Sequence, residues 1–240
     1  MYTGNKISGN IRRICAPLLF MIFDYFAILF AEKMAFELHG IYGMRTFHVP
    51  VFYLVFWIPF VFIAFLWGMQ TYTRMQPILE TVRKIFYAVL YSMIACILVL
   101  YFMQAGLLAS RLYVILFGVL VLLSIYTARY ILLKLLKTTQ TLTKPVILIG
   151  AGKTAELVLE FFDGDLGYRY KVVGILDDKP VSEILPKRFL LLGSVSDAET
   201  IVRDSGIKTV IITAPGMDSK RLEKLDSAIQ PLVRDILFVP

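Results

Sequence analysis

Three small residues at a fixed spacing, Gly150, Gly152 and Ala155, carry the clearest chemical signal in the sequence. They directly follow the aliphatic run 146–149 and open a stretch of helix-forming residues. A G-x-G-x-x-A pattern between a strand and a helix is the fingerprint of a dinucleotide-binding turn. In such a turn, backbone N–H groups and the positive end of the helix approach a phosphate. The pattern therefore predicts that this turn binds the phosphate of a nucleotide of unidentified type.

An acidic pair stands where the second half of this fingerprint is expected. Asp177 and Asp178 end the apolar run 172–176, and an acidic residue at the end of the second strand binds ribose hydroxyls in such domains. Asp177 is therefore the candidate ribose ligand. In the alternative interpretation, the glycines serve only tight packing and the aspartates are a solvated strand end. A shared Mg²⁺ is disfavoured because adjacent residues of a strand point to opposite faces.

Other catalytic patterns fail on spacing or position. The Gly-Lys-Thr sequence at 152–154 imitates a P-loop, but that motif requires a glycine where Ile147 stands. Tyr130 and Lys134 form a Tyr-x-x-x-Lys pattern upstream of the glycine turn, where a nucleotide-sugar enzyme would need it downstream. We treat this pattern as a coincidence.

Cysteine and histidine offer little chemistry. Cys15 and Cys96 fall in apolar segments and are expected to be small buried residues. His39 and His48 are expected in or near a loop and are too few for a metal cluster. We therefore expect no metal site and no catalytic residue in this chain.

Composition places these motifs in a membrane protein. Of the 240 residues, 58% are hydrophobic and only 18% are charged, and the mean hydropathy is +0.72. The excess lies before residue 140, which predicts a transmembrane domain over 1–140 and a cytosolic domain over 141–240. Because a span needs about 20 mostly apolar residues, we expect four spans, at about 14–31, 50–67, 85–103 and 112–133. Asp24 is a formal charge near the centre of the first span, and we expect it to bond to Tyr or Ser on another span.

The distribution of basic residues predicts the orientation in the membrane. Ten Lys and Arg flank one side of the predicted spans and three flank the other, so the positive-inside rule places both termini in the cytoplasm. The net charge of +7 then indicates topology and affinity for anionic lipid, so the expected partner is the lipid bilayer and no nucleic acid is expected. The basic side comprises Lys6, Arg12, Arg13, Arg74, Arg83, Lys84, Arg129, Lys134, Lys137 and Lys144, and the other side Lys33, Arg45 and Arg111.

The part after residue 140 alternates strand and helix. Strands apolar on both faces and joined by helices predict a parallel sheet covered on two sides. The fold class is therefore a membrane α-helical domain plus a Rossmann-like α/β domain. The predicted strands are 146–149, 171–176, 209–213 and 235–239, and the predicted helices 154–162, 196–204 and 219–229.

Seven segments in order resemble a known family. They are FDYFAIL (23–29), YTRMQPILETVRKIF (72–86), SRLYVILFG (110–118), KPVILIGAGKTAELV (144–158), LGYRYKVVGILDDKP (166–180), LLGSVSDAETIVRDSGIKTVIITAP (191–215) and ILFVP (236–240). The chain resembles the amino-terminal region of bacterial polyprenyl-phosphate sugar-1-phosphate transferases. These include the undecaprenyl-phosphate galactose and glucose phosphotransferases that initiate O-antigen, capsule or exopolysaccharide synthesis.

The resemblance implies four transmembrane helices in the bacterial inner membrane, a cytosolic Rossmann-like accessory domain and a homodimer. It also implies a separate catalytic domain, in which an Asp-Glu pair and Mg²⁺ act on polyprenyl phosphate and a UDP-sugar. No segment of these 240 residues matches that domain. We therefore expect an anchoring and regulatory module that is not catalytic alone.

Two alternatives stay open. The front half of a membrane-bound nucleotide-sugar 4,6-dehydratase or epimerase resembles the chain through similar spans and a similar Rossmann-like domain. A nucleotide-sensing membrane binding or channel protein belongs to a different class. The sequence contains no filter-like run of backbone carbonyls to favour a channel.

Overall fold

The computed structural model describes residues 6–41, 51–102, 110–178, 182, 184–213 and 216–239, with side chains from Cys15 onward. Its contacts form two compact units: one is Arg13–Thr139, and the other is Gln140–Pro240 grouped with Met1–Arg12. The first contains the apolar helices and the second contains all the described strands.

The first unit, the membrane unit, is built from long apolar helices. They are α1 (Lys6–Ile41), a π-helical turn (Tyr53–Trp57) that leads into α2 (Ile58–Gly68), α3 (Ile78–Phe102) and α4 (Arg111–Thr138). Among the described residues, three segments are long and apolar enough to cross a membrane: Cys15–Ile41, Ile78–Phe102 and Arg111–Thr138. These correspond to the first, third and fourth predicted spans. The second predicted span appears as the shorter apolar helix Tyr53–Gly68, and its predicted first residue, Pro50, lies outside the described residues.

The helices of the membrane unit are apolar on both their inner and outer faces. Ile28, Phe62 and Ile125 are completely buried between helices, whereas Phe26 and Phe30 of α1 are 63% and 60% exposed. A helix that is apolar all round suits a lipid environment, because its outer face has no need of polar groups. The exposed aromatic side chains are therefore consistent with contact with lipid.

The second unit, the α/β unit, contains a five-stranded sheet in the order β3-β2-β1-β4-β5, and every neighbouring pair is parallel. The strands are β1 (Lys144–Ile149), β2 (Tyr170–Leu176), β3 (Leu191–Gly193), β4 (Thr209–Ile212) and β5 (Asp235–Phe238). The helices are α5 (Lys153–Gly164), α6 (Leu185–Arg188), α7 (Ala198–Ser205), preceded by the 3-10 turn Val195–Asp197, and α8 (Ser219–Ile229). The parallel Rossmann-like sheet predicted from the sequence is confirmed, and β3 and α6 are additional elements.

The sheet is covered on both faces because residues of its central strand alternate between two cores. Val146 and Leu148 pack with Ala155 and Leu159 of α5 and with Leu185 of α6. Ile147 and Ile149 pack on the opposite side, against α7 and α8 through Ala198, Val202, Leu225 and Ile229. The covering helices therefore change face between β3 and β4. In parallel sheets, this change leaves a crevice at the carboxyl ends of the two central strands, here β1 and β4, which is where such folds bind ligands.

Candidate functional site

The glycine turn after β1 lies at this crevice, and its three small residues differ in conformation, in the space around them and in packing. Gly150 has φ +99°, a left-handed conformation that favours glycine. Gly152 precedes α5, and a Cβ built on it meets no atom within 4 Å. Ala155 is completely buried against the sheet. The turn therefore has a tight bend, an open approach and a close helix–sheet contact, which are the three features of a phosphate-binding turn.

The amino terminus of α5 faces this open space without a side-chain cap. The first N–H groups of a helix have no partner within the helix, and together with the helix dipole they attract anions. Lys153, at the first position of α5, adds an exposed positive charge. These groups favour an anion at this end of α5, whereas Glu156 in the same helical turn carries the opposite charge.

Asp177 lies beside the turn, as the fingerprint predicts, but its carboxylate bonds to the turn itself. Ala151 N donates to Asp177 Oδ2 at 2.5 Å. Ala151 is completely buried, so this N–H is an interior donor that the carboxylate satisfies. The structure thus brings all four predicted site residues, Gly150, Gly152, Ala155 and Asp177, to one edge of the sheet. Asp177 holds a donor there that an anionic ligand would otherwise use.

Ser182 covers the turn from the connection after β2. Ser182 N donates to Ala151 O at 3.0 Å, and Ser182 Oγ donates to Glu156 Oε1 of α5. The same hydroxyl accepts from Leu185 N at 3.0 Å, at the start of α6. Ser182 is 7% exposed, so this residue fixes the chain after β2 against the first turn of α5. Sequence reasoning did not identify Ser182, because a single serine in a loop carries no distinctive spacing.

Asp178 turns away from Asp177 and joins other elements. Its Oδ1 accepts from Val195 N at 2.9 Å, and its Oδ2 accepts from Arg221 Nη2 of α8. The backbone N–H of Val195, followed by the Arg221 guanidinium, lowers the pKa of Asp178. The two neighbouring carboxylates, which follow the last residue of β2, thus have different partners. The described residues contain no group of three or more His, Cys, Asp and Glu that could hold a metal ion.

The end of β4 is tied directly to the glycine turn. Thr213 Oγ1 donates to Gly150 O at 3.0 Å and lies 3.2 Å from Ile149 O, and Thr213 N donates to Ile149 O. Thr213 is 1% exposed. Since β1 and β4 are the strands at which the chain changes face, this contact fixes the geometry of the crevice.

The membrane unit contains a buried charged cluster, the Asp24 cluster, comprising Phe20, Asp24, Thr71, Tyr72 and Arg129. Asp24 is completely buried and accepts from Tyr72 Oη at 2.8 Å and from Arg129 Nη2 at 2.6 Å. The sequence predicts a Tyr or Ser partner on another span, and the partner is a tyrosine, but Tyr72 lies in the turn after α2 and not on a span. Arg129, which the sequence analysis assigns to the flanking charges, is a second partner. Arg129 lies inside the predicted fourth span, and a charge in an apolar span was the available signal that it needed a partner.

The structure corrects the expectations for His39 and for the two cysteines. His39 lies within α1 and is 3% exposed, with its ring edge-on to Tyr113 at 6.5 Å, whereas the sequence placed it in or near a loop. His48 lies outside the described residues. Cys15 is exposed and Cys96 is partly exposed, so the expectation that both are buried is wrong, and both are free thiols.

Comparison with known proteins gives one family match. The model of a family described as a CoA-binding domain matches residues 54–240. The match begins in the π-helical turn before α2 and runs through β5, so it includes residues of both units. No curated protein matches the chain.

Proposed function

Because the chain belongs to the CoA-binding domain family, we propose that it is the membrane-anchoring and regulatory module of an undecaprenyl-phosphate hexose-1-phosphate transferase. Such an enzyme initiates O-antigen, capsule or exopolysaccharide synthesis at the bacterial inner membrane. In this proposal the chain works as a homodimer with both termini in the cytoplasm. Polyprenyl phosphate and the UDP-sugar are bound by an associated catalytic domain, which also supplies the Mg²⁺.

The observation that carries this proposal is the extent of the family match. Residues 54–240 include apolar helices of the membrane unit and the whole parallel sheet, so the family match covers residues of both units. Domains of this family occur in bacterial sugar transferases. A membrane unit joined to a Rossmann-like sheet is the arrangement that the sequence resemblance implies for these transferases.

We further propose that the crevice binds a nucleotide with its phosphates over Gly150 and Gly152 and its ribose near Asp177. Coenzyme A, which the family description names, contains an adenine nucleotide with a pyrophosphate. The open side of Gly152 and the uncapped end of α5 suit such a pyrophosphate. Binding would require the Asp177 carboxylate to release Ala151 N and turn towards the ribose. The phosphate of the ligand would then take the place of that carboxylate at the turn.

The test of the transferase assignment compares membranes from cells that naturally encode the chain with membranes in which its gene is deleted. Both receive undecaprenyl phosphate, Mg²⁺ and labelled UDP-glucose or UDP-galactose. We expect deletion to abolish lipid-linked sugar phosphate and UMP release. Unchanged lipid labelling would overturn the assignment, and loss of 4-keto sugar formation instead would support the dehydratase alternative.

A second assay tests the assignment as a module. The purified 240-residue chain in lipid nanodiscs receives the same substrates, and we expect neither lipid-linked sugar nor UMP. Lipid-linked product from the chain alone would contradict a purely anchoring and regulatory role. Ion flux into liposomes that contain the purified chain, above that into protein-free liposomes of the same lipid, would support the channel alternative.

A further inference from the structure

A second buried carboxyl group of α1, on Glu32, belongs neither to the Asp24 cluster nor to the crevice. The Glu32 side chain is only 5% exposed. Its Oε1 atom accepts no hydrogen bond from any described residue. Buried polar atoms without a partner are rare in native proteins, and each one requires an explanation.

Within the part of the chain that the structure describes, no Lys or Arg forms an ion pair with Glu32. Cys96 of α3 and Tyr113 of α4 are close enough to interact with it electrostatically. His39, further along α1, packs edge-on against Tyr113. Segment 58–68, which forms α2, has no titratable residue. Among the described residues, none forms a salt bridge with Glu32, so an ionised carboxylate there has no cation to offset its charge.

Asp24, on the same helix, shows what an ionised carboxylate needs in this unit. Its two oxygens accept from the Arg129 guanidinium and from Tyr72 Oη. Moving a lone carboxylate from water into an apolar interior is so costly that the group takes up a proton instead. A neutral carboxylic acid leaves one acceptor atom unsatisfied, which is a much smaller cost than an unpaired charge.

We propose that Glu32 is a proton-binding site of the membrane unit, held as a carboxylic acid between α1, α3 and α4, and that apolar carbodiimides modify it there. The site is independent of the proposed sugar transfer. The carboxyl O–H proton moves to one carbodiimide nitrogen while the carboxyl oxygen bonds to the central carbon, giving an O-acylisourea with no leaving group. Migration of the acyl group to the neighbouring nitrogen then gives a stable N-acylurea of the same mass.

The experiment treats the full chain in lipid nanodiscs with dicyclohexylcarbodiimide at neutral pH and maps adducts by mass spectrometry of peptides. We expect an adduct on the peptide that carries Glu32 and its complete loss in Glu32→Gln. Asp24 is the matched control on the same helix, because both oxygens of its carboxylate already accept hydrogen bonds from Arg129 or Tyr72. Glu80, whose side chain is partly exposed, is the control for a water-soluble carbodiimide.

Two results would overturn the proposal. One is the absence of an adduct at Glu32 while Glu80 reacts with the water-soluble reagent. The other is equal modification of Asp24 and Glu32. Thermal unfolding supplies an independent readout. Because Gln has the shape and charge of the protonated acid, the melting temperature of Glu32→Gln should equal that of the wild type within experimental error. A large fall in melting temperature would instead show that Glu32 acts as an ionised acceptor, which also contradicts the proposal.

Discussion

Arg129 Nη2 lies 2.6 Å from Asp24 Oδ2, and this contact joins two helices that are far apart in sequence. The other guanidinium nitrogens are also used, since Nε donates to Asp24 Oδ1 at 3.0 Å and Nη1 donates to Thr71 O at 3.2 Å. The rings of Phe20 and Tyr72 lie 4.8 and 4.7 Å from the guanidinium carbon. A cation satisfied on every nitrogen and covered by aromatic rings has no position left for a ligand, so the Asp24 cluster has a structural role.

Replacing Arg129 by Met should strongly destabilise the membrane unit. The change leaves Asp24 buried without its cation, and breaking a buried ion pair in this way costs about 3–5 kcal/mol. Asp24→Asn combined with Arg129→Met should recover part of the loss, because neither charge then remains alone. Thermal unfolding in detergent measures the effect. The matched control is Lys84→Met, which breaks the partly exposed Lys84–Glu80 pair and should cost about 0–1 kcal/mol.

Equal melting temperatures for Arg129→Met and Lys84→Met would show that the Asp24 cluster contributes no more than a surface pair. In that case the buried charges would need another explanation, such as a functional one.

The sequence predicted the strands and helices of the α/β unit more accurately than the side-chain contacts within the membrane unit. The local pattern of apolar and polar residues is enough to predict strongly apolar strands such as Lys144–Ile149 and regular helices such as Ser219–Ile229. Leu191–Gly193 is too short to show a period, and its formation depends on pairing with Ile175 and Leu176 across the sheet. Long-range pairing of this kind leaves no local pattern.

The side-chain partners were harder to predict for the same reason. The glycine turn and Asp177 follow a known spacing, so their meeting at one edge could be expected from the sequence. That Asp177 bonds to Ala151 N, or that Arg129 reaches Asp24, depends on the direction of side chains in the folded chain. No sequence motif indicates that position 174 requires a glycine, although a Cβ on Gly174 would lie 2.9 Å from Leu190 O.

The two glycines of the turn should respond differently to substitution. Gly150→Ala should destabilise the α/β unit by about 1–3 kcal/mol, because φ +99° is strained for alanine. Gly152→Val should leave the fold nearly intact, since φ −95° and ψ −173° suit any residue and the space is open. The same valine should abolish nucleotide binding, because it occupies the place of the phosphate. Calorimetry and thermal unfolding of each variant measure the two effects separately.

If wild type binds no coenzyme A, ADP or UDP at millimolar concentration, the glycines serve packing alone. Nucleotide binding retained by Gly152→Val would show that the phosphate lies elsewhere.

Asp177→Ala should change affinity for two probes in different ways. Pyrophosphate has no ribose, so removal of the carboxylate only frees Ala151 N to donate to the phosphate. A charged hydrogen bond contributes about 1.5–3 kcal/mol, so the affinity for pyrophosphate should rise roughly tenfold or more. For ADP, the loss of the ribose contact offsets this gain, so the ratio of ADP to pyrophosphate affinity should fall. Calorimetry of wild type and variant with both probes gives this ratio.

Asp163→Ala is the matched control, because it removes the same charge from a surface pair with Arg188. A ratio that falls equally in the control would reflect net charge alone. An unchanged ratio in Asp177→Ala would show that Asp177 does not contact the ribose.

The Asp178 contacts should make the stability of the α/β unit sensitive to acid. The Val195 N–H and then the Arg221 guanidinium hold the pKa of Asp178 below its unfolded value of about 3.9. This stabilisation is therefore present above about pH 4 and is lost as the pH falls below that value through the folded pKa. Asp178→Asn should flatten the acid limb of a stability–pH curve measured by urea unfolding. Identical acid limbs for wild type and variant would contradict a role for the carboxylate charge.

The number of membrane crossings can be decided from the location of the termini. Three crossings place the two ends of the chain on opposite sides, and four place them on the same side. The helix Tyr53–Gly68 has a length of only about 24 Å at 1.5 Å per residue, against about 30 Å of hydrocarbon. It therefore crosses only if flanking residues extend it or the bilayer thins locally.

We expect four crossings, because the basic residues remain asymmetric even after Arg129 is assigned to Asp24. Reporter fusions at Met1, at Arg74 between α2 and α3, and at Pro240 should all report a cytoplasmic location. Fusions within residues 42–50 and 103–109 should report the opposite side. If the helix Tyr53–Gly68 does not cross, Arg74 and residues 42–50 will report the same side, and Met1 and Pro240 will report opposite sides. That result would leave three crossings and would reject the placement of both termini in the cytoplasm.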